Sequence, residues 1–275
     1  MMRKLLILGA SGLVGRALVG ECKGSFEIFG TYSTSPIDLP ENNQFQLNVS
    51  ELEQMKNIIR KVKPDAVVSC LRGDFDQQLL FHKELALELR ETNGVCYYVS
   101  TANVFDGDYT KHHSEEDQPN AESLYGNFKI SCEHELKQIL NERAVIIRIP
   151  QIWGKQSPRL KGIKSAIEEG QLEVYDNLAC NHLSDTLLAK QLKYIIENKL
   201  EGIFHPGTVD MMIHQQFIEK LVKKLTNKKV ELNLKSIPNV PGICHFGLTS
   251  VRHDIPENLQ LTNQELIDYL IGPSE

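Results

Sequence analysis

The chain has 275 residues, of which 41% are hydrophobic, 24% charged and 7% aromatic, a composition that excludes disorder, collagen-like repeats and fibres. At about 150 residues per domain, this length allows one large α/β domain or two unequal lobes. Thirty Lys and Arg against 36 Asp and Glu leave a net charge of −6, so no general attraction to nucleic-acid backbones or anionic membranes is expected.

The first apolar run, Leu5 to Leu8, breaks at Gly9. It is too short for a signal-peptide core or a membrane span, which predicts a cytoplasmic protein. Short aliphatic or β-branched runs then alternate with amphipathic stretches: LLIL (5–8), FEIFGTY (26–32), QFQLNV (44–49), DAVVSC (65–70), VCYYVS (95–100) and AVIIRI (144–149) read as strands. Buried strands separated by one helix each imply right-handed βαβ units, hence an α/β fold with a doubly wound parallel sheet. After Pro150 the pattern loosens into a helix near 160–170, a run LEVY (172–175), a helix near 184–198, GIFH (202–205), a helix near 212–225 and a last helix from Thr262 to Ile271. The cysteines at 22, 70, 96, 132, 180 and 244 form no C-x-x-C pair and read as scattered reduced thiols.

GASGLVG directly follows the first strand and places Gly9, Gly12 and Gly15 three residues apart at a strand-to-helix turn. The first glycine permits the turn, the second a close approach of backbone to a pyrophosphate, and the third close helix packing. The helix start adds free N–H groups and a positive dipole end. This predicts a Rossmann-type dinucleotide site that includes Ser11, Leu13 and Val14. An NAD site usually has Asp or Glu at the end of the second strand, to bind the ribose 2′-hydroxyl. Here Thr31 and Ser33 stand there, with Arg16 as an available cation, so NADPH is expected in preference to NADH. Residues 1–150 are expected to form the cofactor domain, with 179–204 returning to it, and 151–178 with 205–275 a small C-terminal substrate-binding lobe.

Tyr125 and Lys129 lie four residues apart in LYGNFKISCEHEL, on one helical face where both reach one substrate atom. A nearby ammonium lowers the pKa of a phenol, so Lys129 is expected to tune Tyr125. Ser100 and Thr101 end the apolar strand VCYYVS at the carboxyl edge of the sheet, where doubly wound folds bind ligands.

With this set the sequence resembles the extended short-chain dehydrogenase/reductases, and within them the dTDP-4-dehydrorhamnose reductase-like branch. The resemblance rests on GASGLVG, STANVFDG (100–107), EEDQP (115–119), YGNFK (125–129), RIPQIWG (148–154) and, in part, NHLSDTLLA (181–189), in that order over most of the chain. It implies an NADPH-dependent reductase of a nucleotide-linked 4-keto-6-deoxy sugar. Thr101 would bind the substrate carbonyl, Tyr125 protonate the alkoxide, and Lys129 hold the nicotinamide ribose. It also implies that Asn48, Leu71, Arg72 and Ser100 lie along the cofactor, and that Val104, Trp153, Asn181 and His182 contact the substrate, with Arg148 near them; by their residue types alone Arg72 reads equally as solvent-facing, Trp153 equally as a buried ring, and His182 and His205 first as packing residues. Ser100 shares the role of Thr101 or only caps the strand. Ala102 and Asn103 replace the branch's Asp-Tyr, which alters the rim that should grip the sugar.

A rival implication of the same resemblance is a non-catalytic NADP-binding regulatory subunit, like that of methionine adenosyltransferase. A sugar-nucleotide epimerase or dehydratase is a third. His112, His113, Glu115, Glu116 and Asp117 form a polar cluster that reads as a solvated loop, and no catalytic metal is expected. The helix faces near 76–92 and 124–140 either pair with a second copy in a homodimer or are covered within the chain.

Overall fold

The computed structural model describes residues 2–238 and 240–273. Six strands and four helices alternate first: β1 Lys4–Leu8, α1 Leu13–Cys22, β2 Glu27–Tyr32, β3 Gln44–Gln46, α2 Leu52–Val62, β4 Ala66–Ser69, α3 Phe75–Arg90, β5 Val95–Thr101, α4 Leu124–Leu140 and β6 Ala144–Ile149. There follow β7 Gln151–Trp153, α5 Pro158–Glu169, β8 Gln171–Tyr175, β9 Leu178–Cys180, β10 His182–Ser184, α6 Asp185–Glu197, β11 Ile203–Phe204, β12 Met212–Ile213, α7 His214–Leu225, β13 Glu231–Lys235, β14 Cys244–His245 and α8 Asn263–Ile271.

The main sheet runs β11-β6-β5-β4-β1-β2-β3, all parallel. Strand order reverses between β1 and β4, so the chain opens a crevice at the carboxyl edge there. The central strands are buried on both faces, which is why they read as unbroken apolar runs rather than as alternation. One core packs α1 and α6 on the sheet through Leu18, Val68, Leu188 and Leu192. The other packs α2, α3 and α4 on the opposite face through Ile59, Phe81, Leu85 and Leu136. Among the described residues no helix is long and apolar enough to cross a membrane.

The remaining elements have a core of their own, in which Trp153, Leu160, Val174, Phe217 and Leu266 meet. LEVY forms β8, paired in parallel with β13 outside the main sheet. The short β7 lies parallel to β10, so the chain leaving β6 turns directly into this second core.

Candidate active site

A cleft of about 870 Å³ opens along the carboxyl edge of the main sheet. This volume is that of a typical small-molecule site. The loops after β1, β2, β4, β5 and β6 all reach it, and so does the start of α5. Every residue expected to bind cofactor or carry catalysis lies on its wall: Gly9, Ser11, Gly12, Leu13, Val14, Gly15, Thr31, Ser33, Asn48, Leu71, Arg72, Ser100, Thr101, Tyr125 and Lys129.

The glycine loop shows why its residue types matter. A Cβ on Gly15 would stand 2.4 Å from the Gly9 carbonyl oxygen and 2.6 Å from the Ala10 Cα, so only glycine lets α1 start this close to β1. Gly12 caps α1 without a side-chain hydrogen bond, leaving the first-turn N–H groups facing the cleft. Thr31 has a different task from the one expected of it. It is buried, and its Oγ1 accepts a hydrogen bond from the Gly9 N–H at 3.0 Å, so its hydroxyl braces the loop instead of replacing an acid at a ribose. Ser33 stays exposed on the wall. Arg16 faces a separate cavity of about 400 Å³ that shares Ser11 with the cleft and includes Lys23, Thr34 and Ser35.

The catalytic candidates are set by α4. Asp106 accepts the backbone N–H groups of Glu122 and Ser123 at 2.8 and 3.1 Å and also the Ser123 hydroxyl, and Ser123 in turn caps Gly126 at 2.9 Å. The string VFDG therefore fixes the start of the helix that carries Tyr125. Gly126 completes the fit, since a Cβ there would lie 2.3 Å from the Asn103 carbonyl oxygen. Neither Asp106 nor Gly126 was singled out from the sequence, because their work is on backbone and only the packing reveals it.

Tyr125 is 38% exposed toward the cleft. Burial pushes its phenol up from the usual value, opposed by the Thr101 hydroxyl beside it and by the Arg72 guanidinium. Lys129 is engaged on β5: its buried Nζ donates to the Val99 carbonyl at 3.0 Å and lies 4.5 Å from the centre of the Tyr98 ring and 6.0 Å from that of Tyr125. Burial draws Lys129 down to about 8.

The two adjacent hydroxyls separate cleanly. Ser100 Oγ donates to the buried Glu133 carboxylate at 2.5 Å, whereas Thr101 Oγ1 donates to Asn103 Oδ1 at 3.1 Å and lies beside Tyr125. Thr101 is therefore the hydroxyl available to a reacting group. Asn103 and Ala102 both line the cleft, and Asn103 holds the Thr101 side chain.

The four residues expected to touch substrate lie elsewhere. Val104 is fully buried with Phe105 and Leu248. Trp153 packs in the second core against Phe217 and beneath Arg159. Asn181 ties Thr208 and Leu248 together through their carbonyls, and His182 stacks on Phe217 with its Nδ1 2.7 Å from Asn263 Oδ1. Arg148 is also buried, paired with Glu133 at 2.7 Å. The lobe end of the cleft is formed instead by Ile149 to Ile152, by Ser157 to Arg159 and by Phe246. The sequence signal for Arg159 is only its place in the first turn of α5, after the Ser157-Pro158 start. The wall as a whole carries Arg72, Lys129 and Arg159 and, among the described residues, no carboxylate.

The polar cluster at 112–117 is structural. Glu115 accepts the backbone N–H groups of His205 and Val251 at 3.1 and 2.9 Å, and Asp117 caps Ser114 at 2.8 Å. Among the described residues no group of three or more His, Cys, Asp or Glu is placed to hold a metal ion.

Methionine adenosyltransferase 2 subunit beta from Danio rerio is 25% identical to this chain over 234 residues, which is 76% of the chain and 70% of that protein. The Xenopus tropicalis protein of the same name is 30% identical over 167 residues, 55% of this chain and about half (48%) of that protein. Among solved structures, a dTDP-4-dehydrorhamnose reductase from Bacillus anthracis in complex with NADP shares the fold with a TM-score of 0.80 at 17% identity, over 98% of this chain and 99% of that one. The family model described as the RmlD substrate binding domain matches residues 74–241, a span from the start of α3 to beyond β13 that includes Thr101, Tyr125, Lys129 and Arg159, and the chain belongs to that family.

Proposed function

We propose that the protein is an NADPH-dependent reductase that converts the 4-keto group of a nucleotide-linked 6-deoxy sugar to an alcohol. The observation that carries this reading is the cleft wall itself: a glycine loop, the set Thr101, Tyr125 and Lys129, and three cations on a wall that, among the described residues, has no carboxylate of its own. Such a wall suits two ligands that both carry diphosphate.

The residues fit a dinucleotide. The first turn of α1 offers N–H groups to a pyrophosphate, and the cradle is one that a Cβ at position 15 would fill. A bound nicotinamide supplies the hydride. The protein's own contribution begins with Thr101, whose hydroxyl turns its proton from Asn103 Oδ1 to the ketone oxygen and orients it. Tyr125 then gives its proton to the oxygen as negative charge develops there; because burial holds the phenol protonated, it is a donor at neutral pH. Lys129, charged below about 8 and fixed on the Val99 carbonyl, supports the ribose and the returning proton. One hydride on carbon and one proton on oxygen complete the alcohol. Arg159 at the lobe end holds the sugar's diphosphate.

The end of β2 carries Thr31 and Ser33 in place of an acid, which favours NADPH over NADH. Ser33 on the wall and Arg16 in the adjoining cavity with Thr34 and Ser35 offer donors to a 2′-phosphate, and Asp38, the carboxylate of that cavity, is paired with Lys23 at 2.7 Å.

The test is to follow NADPH consumption with dTDP-4-dehydrorhamnose, related keto sugars and simple ketones. Oxidation with a nucleotide-linked keto sugar and not with simple ketones is expected. A second reading, an NADP-binding regulatory subunit, is favoured by the names of the Danio rerio and Xenopus tropicalis relatives and by Ala102 and Asn103 in the rim. It predicts tight NADPH binding, no oxidation with any sugar nucleotide, and a stable protein partner in pull-down.

A further inference from the structure

We propose that Glu133 is a positioning residue of this site: its carboxylate holds α4 against the ends of β5 and β6, and so keeps the Lys129 ammonium and the Thr101 hydroxyl where the reaction uses them. The proposal rests on the reductase reading above.

Tyr125, Lys129 and Glu133 follow one another at four-residue spacing on α4, and each engages a different residue at the end of β5. Lys129 Nζ takes the Val99 carbonyl at 3.0 Å, Glu133 takes the Ser100 hydroxyl at 2.5 Å, and Tyr125 lies beside the Thr101 hydroxyl. Ser100 is paired in register with Arg148 across β5 and β6, and Arg148 reaches the same carboxylate through Nε at 3.1 and 3.2 Å and Nη2 at 2.7 Å. One carboxylate therefore clamps two neighbouring strands to the helix one residue before Thr101.

The clamp continues past the end of β11, to the loops that carry His113 and Thr249. Arg148 Nη1 lies 3.4 Å from His205 Nε2, and His205 Nδ1 faces the carbonyls of His113 and Thr249 at 3.2 and 3.1 Å. Two carbonyls at Nδ1 require the proton there, which leaves Nε2 to accept from Arg148.

Desolvating a carboxylate and a guanidinium side by side is expensive, and a buried pair of this kind is a poor source of stability compared with apolar packing. What it supplies here is charge next to Lys129. Facing that ammonium are Tyr125 and Cys132 from α4, Tyr98 from β5, Cys70 and Arg72 from the loop after β4, and His82 from α3. Glu133 joins them as the carboxylate of the set and, after Cys132, opposes the loss of charge that burial imposes on Lys129.

The experiment uses the full chain labelled with ¹³Cε-lysine, with Lys129 assigned by the Lys129→Met variant. Titration by NMR, thermal unfolding, and kcat and KM for the keto sugar against pH are compared for wild type, Glu133→Gln and the charge-free pair Glu133→Gln with Arg148→Met. Should the single variant not fold, the pair, which leaves no orphaned guanidinium, carries the test. In the folded variant the Lys129 midpoint should fall by roughly one pH unit, and kcat should drop roughly tenfold with KM little changed. Glu133→Asp should recover part of both. A folded variant with the wild-type Lys129 midpoint and wild-type kcat would overturn the proposal. If wild type oxidises no NADPH, the reductase reading fails by itself, and the Lys129 midpoint still decides the role of Glu133.

Discussion

At the glycine-loop end of the cleft the wall is largely main chain: Gly9, Gly12 and Gly15 sit where a side chain would collide or intrude, and the open N–H groups of α1 face the ligand space. At the lobe end the wall is side chains from three separate segments, Ile149 to Ile152, Ser157 to Arg159 and Phe246, brought together only by the packing of the second core. A site made of backbone leaves its mark as spacing, because only certain residues permit that backbone. A site made of gathered side chains leaves no such mark, and a polar or aromatic residue near it is as readily a core residue as a contact.

The largest effect that sharpens this contrast is at the chemistry between the two ends. Tyr125→Phe should bind NADPH as wild type does and lose about 10²-fold or more in kcat, the range of general acid catalysis; unchanged turnover would remove Tyr125 as the proton donor. Trp153→Ala should behave as a core mutation, losing roughly 3–5 kcal/mol of stability. Thermal unfolding together with the KM of whatever protein remains folded would expose any direct ligand role for Trp153. Gly15→Ala should weaken NADPH binding by roughly 10- to 100-fold in calorimetry, since overpacking costs about 1–3 kcal/mol. Arg159→Ala should raise the KM of the sugar nucleotide by roughly tenfold, about the worth of one charge-assisted hydrogen bond, and leave NADPH affinity alone. A loss of NADPH affinity instead would place Arg159 at the wrong end of the cleft.

The strands β1 to β6, the glycine loop and the Tyr125–Lys129 face were legible because each follows from periodicity or from a residue's conformational freedom. The lobe was legible only as elements. LEVY reads as a strand and is one, but nothing local says that its partner is β13, some sixty residues on. Trp153 illustrates the harder limit: its indole lies 5.2 Å from the ring of Phe217, a residue of α7 that no pattern near position 153 predicts. Ser100 and Thr101 were inseparable in sequence because their distinction is set by Glu133 and Asn103.

A further effect is on stability against pH. Burial draws His82 and His182 down to about 3 and His205 down to about 4, from an ordinary value of 6.5. Below that ordinary value the unfolded chain takes up protons at these positions and the folded chain does not. Stability from these groups is therefore full above it and falls as the pH drops, by at most roughly 1.4 kcal/mol per pH unit for each imidazole. Denaturant midpoints between neutrality and pH 5 that stayed flat in wild type would contradict their burial as neutral rings.

The central claim, that both ends of the cleft serve one transfer of hydride, is tested most directly by isotope. NADPH carrying deuterium at the transferable position of its nicotinamide is incubated with the protein and dTDP-4-dehydrorhamnose, and the sugar is analysed by NMR. Deuterium at C4 of a reduced sugar, accumulating about 10²-fold or more slowly with Tyr125→Phe, is the predicted result. Stoichiometric binding of the labelled cofactor with the ketone recovered unreduced and unlabelled would contradict it.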